Sequence, residues 1–135
     1  MGMEKQVKIN YQEIGKRIVS YVEQEVKRII AQLENIDKEI EEIQRQIEEI
    51  ESQGTLSGWI EYKWVKNKSG KKYWYYYYRY RFNGKVKSVY LGKFVGPEIS
   101  QAISRNRIVR ALRRKIKVLE QQRAKLLEQL EQLRP

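Results

Sequence analysis

The sequence predicts an α+β fold in which a long antiparallel coiled-coil helical hairpin carries a three-stranded antiparallel β-sheet at its bend. Apolar residues recur in alternating steps of three and four in both terminal parts of the chain, which is typical of coiled-coil helices. Between them lies a run of aromatic and β-branched residues interrupted by two turn motifs, which favours strands. We therefore expect one structural unit with a helix over residues 1–53, a sheet over 54–97 and a second helix over 98–135.

The first helix is predicted from an unbroken seam of apolar residues. Its members are Val22, Val26, Ile29, Leu33, Ile36, Ile40, Ile43, Ile47 and Ile50. Such a repeat over more than four heptads indicates a coiled coil rather than an ordinary surface helix. The helix is expected to begin near Met3, where the apolar pattern is looser, and Ser52-Gln53-Gly54 is expected to end it.

The central strand of the sheet is predicted over residues 73–82, which read YWYYYYRYRF. Aromatic side chains pack well on a pleated surface, and this run contains no turn residue. Asn83-Gly84 follows at once and favours a two-residue type I′ hairpin turn. Residues 58–66 and 85–91 are the expected neighbours, so the sheet is a three-stranded meander.

The second turn fixes the register of the last two strands. It pairs Phe82 with Lys85, Arg79 with Ser88, Tyr77 with Tyr90 and Tyr76 with Leu91. One face then carries Trp74, Tyr76, Tyr78, Tyr80, Phe82, Lys85, Lys87, Val89 and Leu91, and is expected to face the core. The other carries Tyr73, Tyr75, Tyr77, Arg79, Arg81, Val86, Ser88 and Tyr90, and is expected to be the contact face.

The first turn is less constrained. A four-residue loop would place Ile60, Tyr62 and Trp64 on the contact face, and a slip of one residue would exchange the two faces.

The second helix is predicted to open at Glu98, after the break at Gly96-Pro97. Its seam consists of Val109, Leu112, Ile116, Leu119, Leu126, Leu130 and Leu133, with Arg123 interrupting one position.

Charge supports an antiparallel pairing of the two helices. Residues 34–51 carry a net charge of −6 and residues 98–117 a net charge of +6, and aligning Ile50 with Ile99 places them side by side. Several apolar residues lie off both seams, which motivates the hypothesis of a homodimer formed through the helices. They are Ile14, Ile18, Ile30, Ile108, Ala111, Ala124 and Leu127.

Composition restricts the chemistry. The chain has no cysteine, no histidine and a single aspartate, Asp37, which excludes disulfides, histidine acid–base catalysis and the usual zinc sites. No spacing indicates a catalytic set, so we expect no enzymatic activity and no cofactor. The N terminus lacks an apolar run of signal-peptide or membrane-spanning length, so a cytoplasmic protein is expected. The many Ile, Glu, Lys and Arg residues are typical of thermophiles.

The net charge of +11 is concentrated in the sheet, where residues 52–97 carry ten basic residues against Glu61 alone. Cations that neutralise phosphates, beside flat rings that stack on bases, favour nucleic-acid binding. We expect double-stranded DNA rather than RNA as the partner, low sequence specificity and a place on the nucleoid. The candidate contact residues are Tyr62, Trp64, Lys66, Lys68, Lys71, Lys72, Tyr73, Tyr75, Tyr77, Arg79, Arg81, Ser88 and Tyr90.

Each of these residues also has a purely structural interpretation. Alternating tyrosines are commonly cross-strand packing, and lysines around a turn are commonly solvated. The arginines of the second helix are expected to pair with the acidic helix rather than with a ligand. They are Arg105, Arg107, Arg110, Arg113 and Arg114.

The motif SVYLGKF at residues 88–94, closing a sheet and followed by a helix, resembles the end of the AP2-like DNA-binding sheet found in plant transcription factors and in the arm-binding domains of tyrosine recombinases. The resemblance implies that the sheet lies in the major groove, that Ser88 and Tyr90 touch DNA, and that Val89 and Leu91 pack on a helix. The whole layout also resembles an uncharacterised helix, sheet, helix family of mobile-element proteins.

Two coiled-coil helices flanking β-hairpins are similar to the layout of prefoldin subunits, whose helix tips hold unfolded chains. This second resemblance implies a chaperone, and a coiled-coil assembly scaffold is a further alternative. The basic sheet, where prefoldin-like proteins are usually acidic overall, speaks against the chaperone.

Overall fold

The computed structural model describes residues 10–134 and confirms the predicted α+β class. Its elements are α1 (Tyr11–Ser52), β1 (Trp59–Lys66), β2 (Lys72–Phe82), β3 (Lys85–Gly92) and α2 (Pro97–Gln132). The predicted helix start near Met3 lies outside the described residues. No described helix holds an apolar stretch long enough to cross a membrane.

The chain divides into two compact units. One contains the outer parts of the helices, up to Ile40 in α1 and from Val118 in α2. The other contains residues 41–117, and therefore the whole sheet together with the adjoining parts of both helices.

Both ends of α1 are capped by local hydrogen bonds. At the N terminus the Glu13 N–H donates to the side-chain oxygen of Asn10 at 3.1 Å, an N-cap of the usual kind. At the C terminus the helix ends at Ser52, and Gly54 takes a φ of +95°, which an L side chain rarely adopts. The predicted C-terminal stop is confirmed.

The predicted seams form most of the core. Each seam residue of α1 from Val22 to Ile50 is buried or half-buried, whereas the other apolar residues of that helix are exposed. All seven predicted seam residues of α2 are also buried or half-buried, but Ala102 and Ile103, which precede the predicted seam, are buried as well. The fully buried residues of the described chain are Ile29, Ile43, Ile47, Ala102, Ile103, Val109 and Leu119, and all of them belong to the helices.

Within residues 41–117 the antiparallel helices have a different alignment from the one that charge matching predicted. Glu51 of α1 forms an ion pair with Arg113 of α2, so these two residues lie side by side. Arg113 is about four turns further along α2 than Ile99, which the charge match placed beside this end of α1. The reason is that the first turns of α2 lie against the linker after α1: the Leu56 N–H donates to the Ala102 carbonyl at 3.1 Å. The alignment of Ile50 with Ile99 is therefore wrong.

In the unit formed by the outer helix parts, Arg123 donates to Asp37 at 2.9 Å, so the residue that interrupts the seam of α2 forms an ion pair with α1. Counting along both helices from this contact, Gln132 at the end of α2 lies level with about residue 28 of α1. Residues 11–27 therefore extend beyond the end of α2, and we call them the α1 overhang.

The register of β2 and β3 follows the prediction except at its end. Phe82 pairs with Lys85, with Asn83 and Gly84 at φ values of 49° and 75°, as a type I′ turn requires. Tyr76, however, pairs with Gly92 rather than Leu91. A β-bulge adds one residue to β3 at this point, so the predicted Tyr76–Leu91 pair is wrong.

The register of β1 differs from the prediction by one residue. Lys66 pairs with Lys72, which leaves a five-residue loop over 67–71 rather than four residues. The Asn67 side chain sets this length, since its oxygen accepts from the Ser69 N–H at 3.0 Å and from the Lys71 N–H at 2.9 Å. All side chains of β1 consequently lie on the opposite face from the predicted one.

Two adjacent isoleucines test the helical core. Ile29→Ala, at a side chain 2% exposed, is expected to lower the free energy of unfolding by about 2–5 kcal/mol in urea titrations followed by circular dichroism. Ile30→Ala changes helix propensity equally but removes a side chain 41% exposed, so its cost should stay below about 1 kcal/mol. Equal losses in the two variants would contradict the assigned seam.

Candidate nucleic-acid interface

The observed register defines two faces of the sheet, because directly paired residues project to the same side. The aromatic face consists of Ile60, Tyr62, Trp64, Lys66, Lys72, Trp74, Tyr76, Tyr78, Tyr80, Phe82, Lys85, Lys87 and Val89. The arginine face consists of Trp59, Glu61, Lys63, Val65, Tyr73, Tyr75, Tyr77, Arg79, Arg81, Val86, Ser88 and Tyr90.

The residues of the predicted contact face are therefore distributed over both faces of the sheet. Tyr62 and Trp64 are predicted to lie beside the arginines, but the five-residue loop places them on the aromatic face. There Tyr62 stacks on Tyr76, with ring centroids 4.4 Å apart, and lies 5.2 Å from the ring of Trp74. These contacts are worth about 0.5–1.5 kcal/mol each beyond area burial, so the rings also stabilise the hairpin.

The aromatic face is not the sheet's core. Among the described residues no strand residue is fully buried, and Val89, which the AP2-like resemblance assigns to helix packing, is 46% exposed. Leu91 is half-buried. The expectation that this face is interred beneath the helices is wrong, because the core lies in the helices themselves.

On the arginine face, Arg79 is held by the only acid of the sheet. Its guanidinium donates to Glu61 at 2.6 Å, and both side chains are about one-third exposed. This hydrogen bond lowers the pKa of Glu61 below its ordinary value, against a smaller opposing effect of desolvation. Arg79 is thereby directed toward its carboxylate and is poorly placed for a phosphate.

The other predicted residues of this face remain accessible to different degrees. Tyr90 is 59% exposed and meets Tyr75 and Tyr77 edge to face at 5.4 and 5.7 Å. Ser88 and Arg81 are exposed, and within residues 10–134 Arg81 has no carboxylate partner. The rings are thus packed against one another without being enclosed.

The most basic part of the sheet is the end of the β1–β2 hairpin. The third strand stops opposite Tyr76, whereas β1 and β2 continue to pair as far as Lys66 and Lys72. Residues 63–75 therefore form a two-stranded extension with five lysines and no carboxylate. We call this segment the basic ribbon; it contains the predicted residues Trp64, Lys66, Lys68, Lys71, Lys72, Tyr73 and Tyr75.

Three of its lysines lie over aromatic rings. Lys72 and Lys66 place their ammonium groups 4.5 and 5.9 Å from the ring centre of Trp64, and Lys71 lies 5.5 Å from that of Tyr73. Such cation–π contacts hold a long side chain near the strand without neutralising its positive charge, since the ring carries no net charge. The ammonium groups therefore keep their full charge for an anionic partner.

The sequence does not predict the ribbon as a separate feature. It does contain a clue, because the two predicted strands of 58–66 and 73–82 are longer than the third at 85–91. However, the sequence predicts neither the bulge nor the five-residue loop, and both are needed to locate the end of β3 relative to β1.

The arginines of α2 are not all partners of the acidic helix. Arg113 pairs with Glu51, as expected, whereas Arg105 donates to the backbone carbonyls of Gly54 at 2.7 Å and Gln53 at 3.1 Å. Arg107 and Arg110 are exposed and have no carboxylate partner within the described chain. The expectation of pairing with the acidic helix thus fails for Arg105, Arg107 and Arg110, because this part of α2 lies beyond the end of α1. It also fails for Arg114, which is exposed and has no carboxylate partner within the described residues.

No metal site accompanies this surface: within residues 10–134 no group of three or more potential side-chain ligands is suitably placed. Comparison with known proteins gave no match, whether with protein-family models, curated proteins or solved structures. The function therefore has to follow from the site itself.

The Glu61–Arg79 pair predicts an acid-dependent stability. Because the pKa of Glu61 is lowered on folding, the pair stabilises the protein above the ordinary glutamate pKa, and this contribution disappears as the pH falls through the lowered value. Glu61→Gln should be less stable than the parent in urea at about pH 7, and the difference should shrink as the pH is lowered toward about pH 2.5.

The matched control is Glu48→Gln, which changes an exposed carboxylate of α1. Its stability difference from the parent should be small at both pH values. A Glu61→Gln difference that stays constant down to about pH 2.5 would rule out the ion pair as its cause.

Proposed function

We propose that the protein is a non-enzymatic nucleic-acid-binding protein that binds double-stranded DNA through the basic ribbon, with low sequence specificity. The observation that carries the proposal is the ribbon itself: five lysines and four exposed or half-buried rings on two strands without an acid. Each phosphate that a lysine neutralises releases a counterion, which favours binding whatever the base sequence.

The dimensions of the ribbon suit a major groove. Two paired strands are about 5 Å apart, and a groove about 12 Å wide admits such a ribbon. Lys66 and Lys72 project from the aromatic face, Lys63 from the arginine face, and Lys68 lies in the turn. With lysines on both faces and at the tip, the ribbon supplies cations to both phosphate walls at once.

Low specificity follows from the side chains available. Base edges are read most specifically by the fixed fork of arginine and the amides of asparagine and glutamine, whereas lysine is a flexible point charge whose phosphate contacts carry no sequence information. The only such residue in the ribbon is Asn67, whose oxygen is already used by the turn. A protein of this kind would coat chromosomal DNA, which supports a place on the nucleoid.

The lysines of the ribbon provide the direct test. The triple variant Lys68→Ala, Lys71→Ala and Lys72→Ala should bind a random duplex of about 20 base pairs more weakly in fluorescence anisotropy. The slope of log K against log salt should flatten by about 0.9 for each phosphate that the variant no longer neutralises. Single-stranded DNA and RNA of equal length are measured alongside, and tighter binding to either would contradict the choice of duplex DNA.

The control carries the same charge change elsewhere. Lys27→Ala, Lys38→Ala and Lys125→Ala replace exposed lysines of the helices. Affinity and salt slope should stay close to those of the parent, because these lysines are not part of the ribbon and the effect of net charge alone is largely screened by salt. If the two triple variants weakened binding equally, the ribbon would not be the interface.

We further propose that the α1 overhang pairs with the overhang of a second copy. Its exposed apolar residues include Tyr11, Ile14, Ile18, Val19 and Tyr21, with exposed fractions between 44% and 77%. Among the described residues, α2 extends only to Gln132, level with about residue 28, and does not cover them. A second overhang in antiparallel orientation has the same length and the same apolar residues, so it supplies a matching surface.

Sedimentation tests this pairing. The protein should sediment as a dimer at micromolar concentration, and Ile14→Glu with Ile18→Glu should give a monomer, because burying charged residues in an apolar interface is costly. Two glutamates at exposed positions outside the overhang, Ile108→Glu and Leu127→Glu, should leave the dimer intact. A parent protein that sediments as a monomer would overturn the proposal.

A further inference from the structure

A second cationic site lies at the other end of the sheet from the ribbon. It is a partly open cavity of about 490 Å³ between the start of β1, the end of β2 and one side of α2. Its polar and aromatic lining residues are Ser57, Trp59, Arg81, Asn106, Arg110 and Arg113. Lys66, in the ribbon, is seven residues along β1 from Trp59, or about 23 Å at 3.3 Å per residue.

The cavity has excess positive charge because of the helix alignment. Arg113 is neutralised by Glu51, near the C-terminal end of α1. Arg110 lies one turn earlier in α2, beyond the last carboxylates of α1, and Arg81 projects from the arginine face toward the same space. Neither has a carboxylate partner within the described residues, so two guanidinium groups share the cavity with no anion of the protein to balance them.

The chemistry of the lining fits a phosphate group. A guanidinium presents a planar fork of N–H donors that matches two phosphate oxygens, and two such forks around one cavity favour a doubly charged anion. The Ser57 hydroxyl and the Asn106 side-chain amide can donate to further oxygens. The half-buried indole of Trp59 offers a flat apolar wall at the side of the same cavity.

We infer that this cavity binds a phosphate group, with Arg81 and Arg110 as its charged ligands and Trp59 beside it. The phosphate can come from a free mononucleotide, whose base then lies against the indole, or from the backbone of a nucleic acid. In the second case the inference rests on the proposed DNA binding. In both cases the bound anion relieves the repulsion between the two guanidinium groups.

Trp59 allows the cavity to be observed separately from the ribbon. The chain contains three tryptophans, of which Trp64 and Trp74 belong to the ribbon. In the variant Trp64→Phe with Trp74→Phe, all tryptophan emission comes from the cavity. This variant is titrated with inorganic phosphate, with adenosine monophosphate and with the same duplex, each at constant ionic strength maintained with chloride.

The expected result is a saturable change in Trp59 emission with phosphate or the mononucleotide and no change with chloride alone. Adding Arg110→Ala should weaken this binding about tenfold or more, because a charged hydrogen bond is removed. Adding Arg107→Ala removes an equally charged, exposed residue of the same helix that does not line the cavity, and should leave the affinity unchanged.

The three titrations separate the sources of the phosphate. Tighter binding of the mononucleotide than of inorganic phosphate assigns a free nucleotide, whereas an emission change with the duplex that Arg110→Ala removes assigns the nucleic-acid backbone. Absence of a saturable change with all three ligands, or equal affinity in the Arg110→Ala and Arg107→Ala proteins, overturns the inference. Duplex binding that depends on the ribbon lysines would persist in that event, so the two proposals fail separately.

Discussion

The arrangement of residues 41–117 depends on where α2 begins relative to α1. The first turns of α2 lie against the linker after α1 and not against α1 itself, because the Leu56 N–H of this linker donates to the Ala102 carbonyl of α2. One turn later, Arg105 donates to the two carbonyls at the C-terminal end of α1. A cation at this point satisfies carbonyls that no helical N–H can reach, and it opposes the negative end of the helix dipole. The backbone bond and this cap together fix the alignment of α2 against α1 within residues 41–117.

That alignment has electrostatic consequences. Glu51 is paired with Arg113, so the earlier arginines of α2 extend past the acidic helix. Arg110 is consequently free to line a cavity with Arg81 of the sheet. The ribbon and the arginine-lined cavity are therefore two separate clusters of positive charge in this unit, and they do not share one face of the sheet.

The sheet is held together without a buried core of its own. Its stability comes from strand pairing and from ring contacts on both faces, including Tyr62 with Tyr76 and Tyr75 with Tyr90. Tyrosine suits this role, because its ring packs while its hydroxyl stays in water. The same residues that make the hairpin stable thus remain accessible, which is why the structural and the binding interpretations of the tyrosines are compatible.

The elements of this fold could be predicted from local patterns. The seams of both helices, the type I′ turn and the pairs from Phe82–Lys85 to Tyr77–Tyr90 follow from spacing and turn chemistry, which involve only neighbouring residues. The candidate site could be predicted less completely. Its lysines form the cluster that the sequence indicates, but Tyr62 and Trp64 lie on the opposite face from the predicted one, since one residue in a loop reverses every side chain of a strand.

The sequence by itself determined which segments are helix and strand, which residues form the helical seam, and that the surplus positive charge belongs to the sheet. Only the tertiary structure decided the length of the first loop, the bulge after Tyr76 and the alignment of α2 against α1. These depend on single contacts between residues far apart or on one side chain's hydrogen bonds, such as those of Asn67 and Arg105. The apolar seam repeats every seven residues, so helix alignments that differ by whole heptads pack equivalent residues, and the match of charge favoured an alignment that these contacts override.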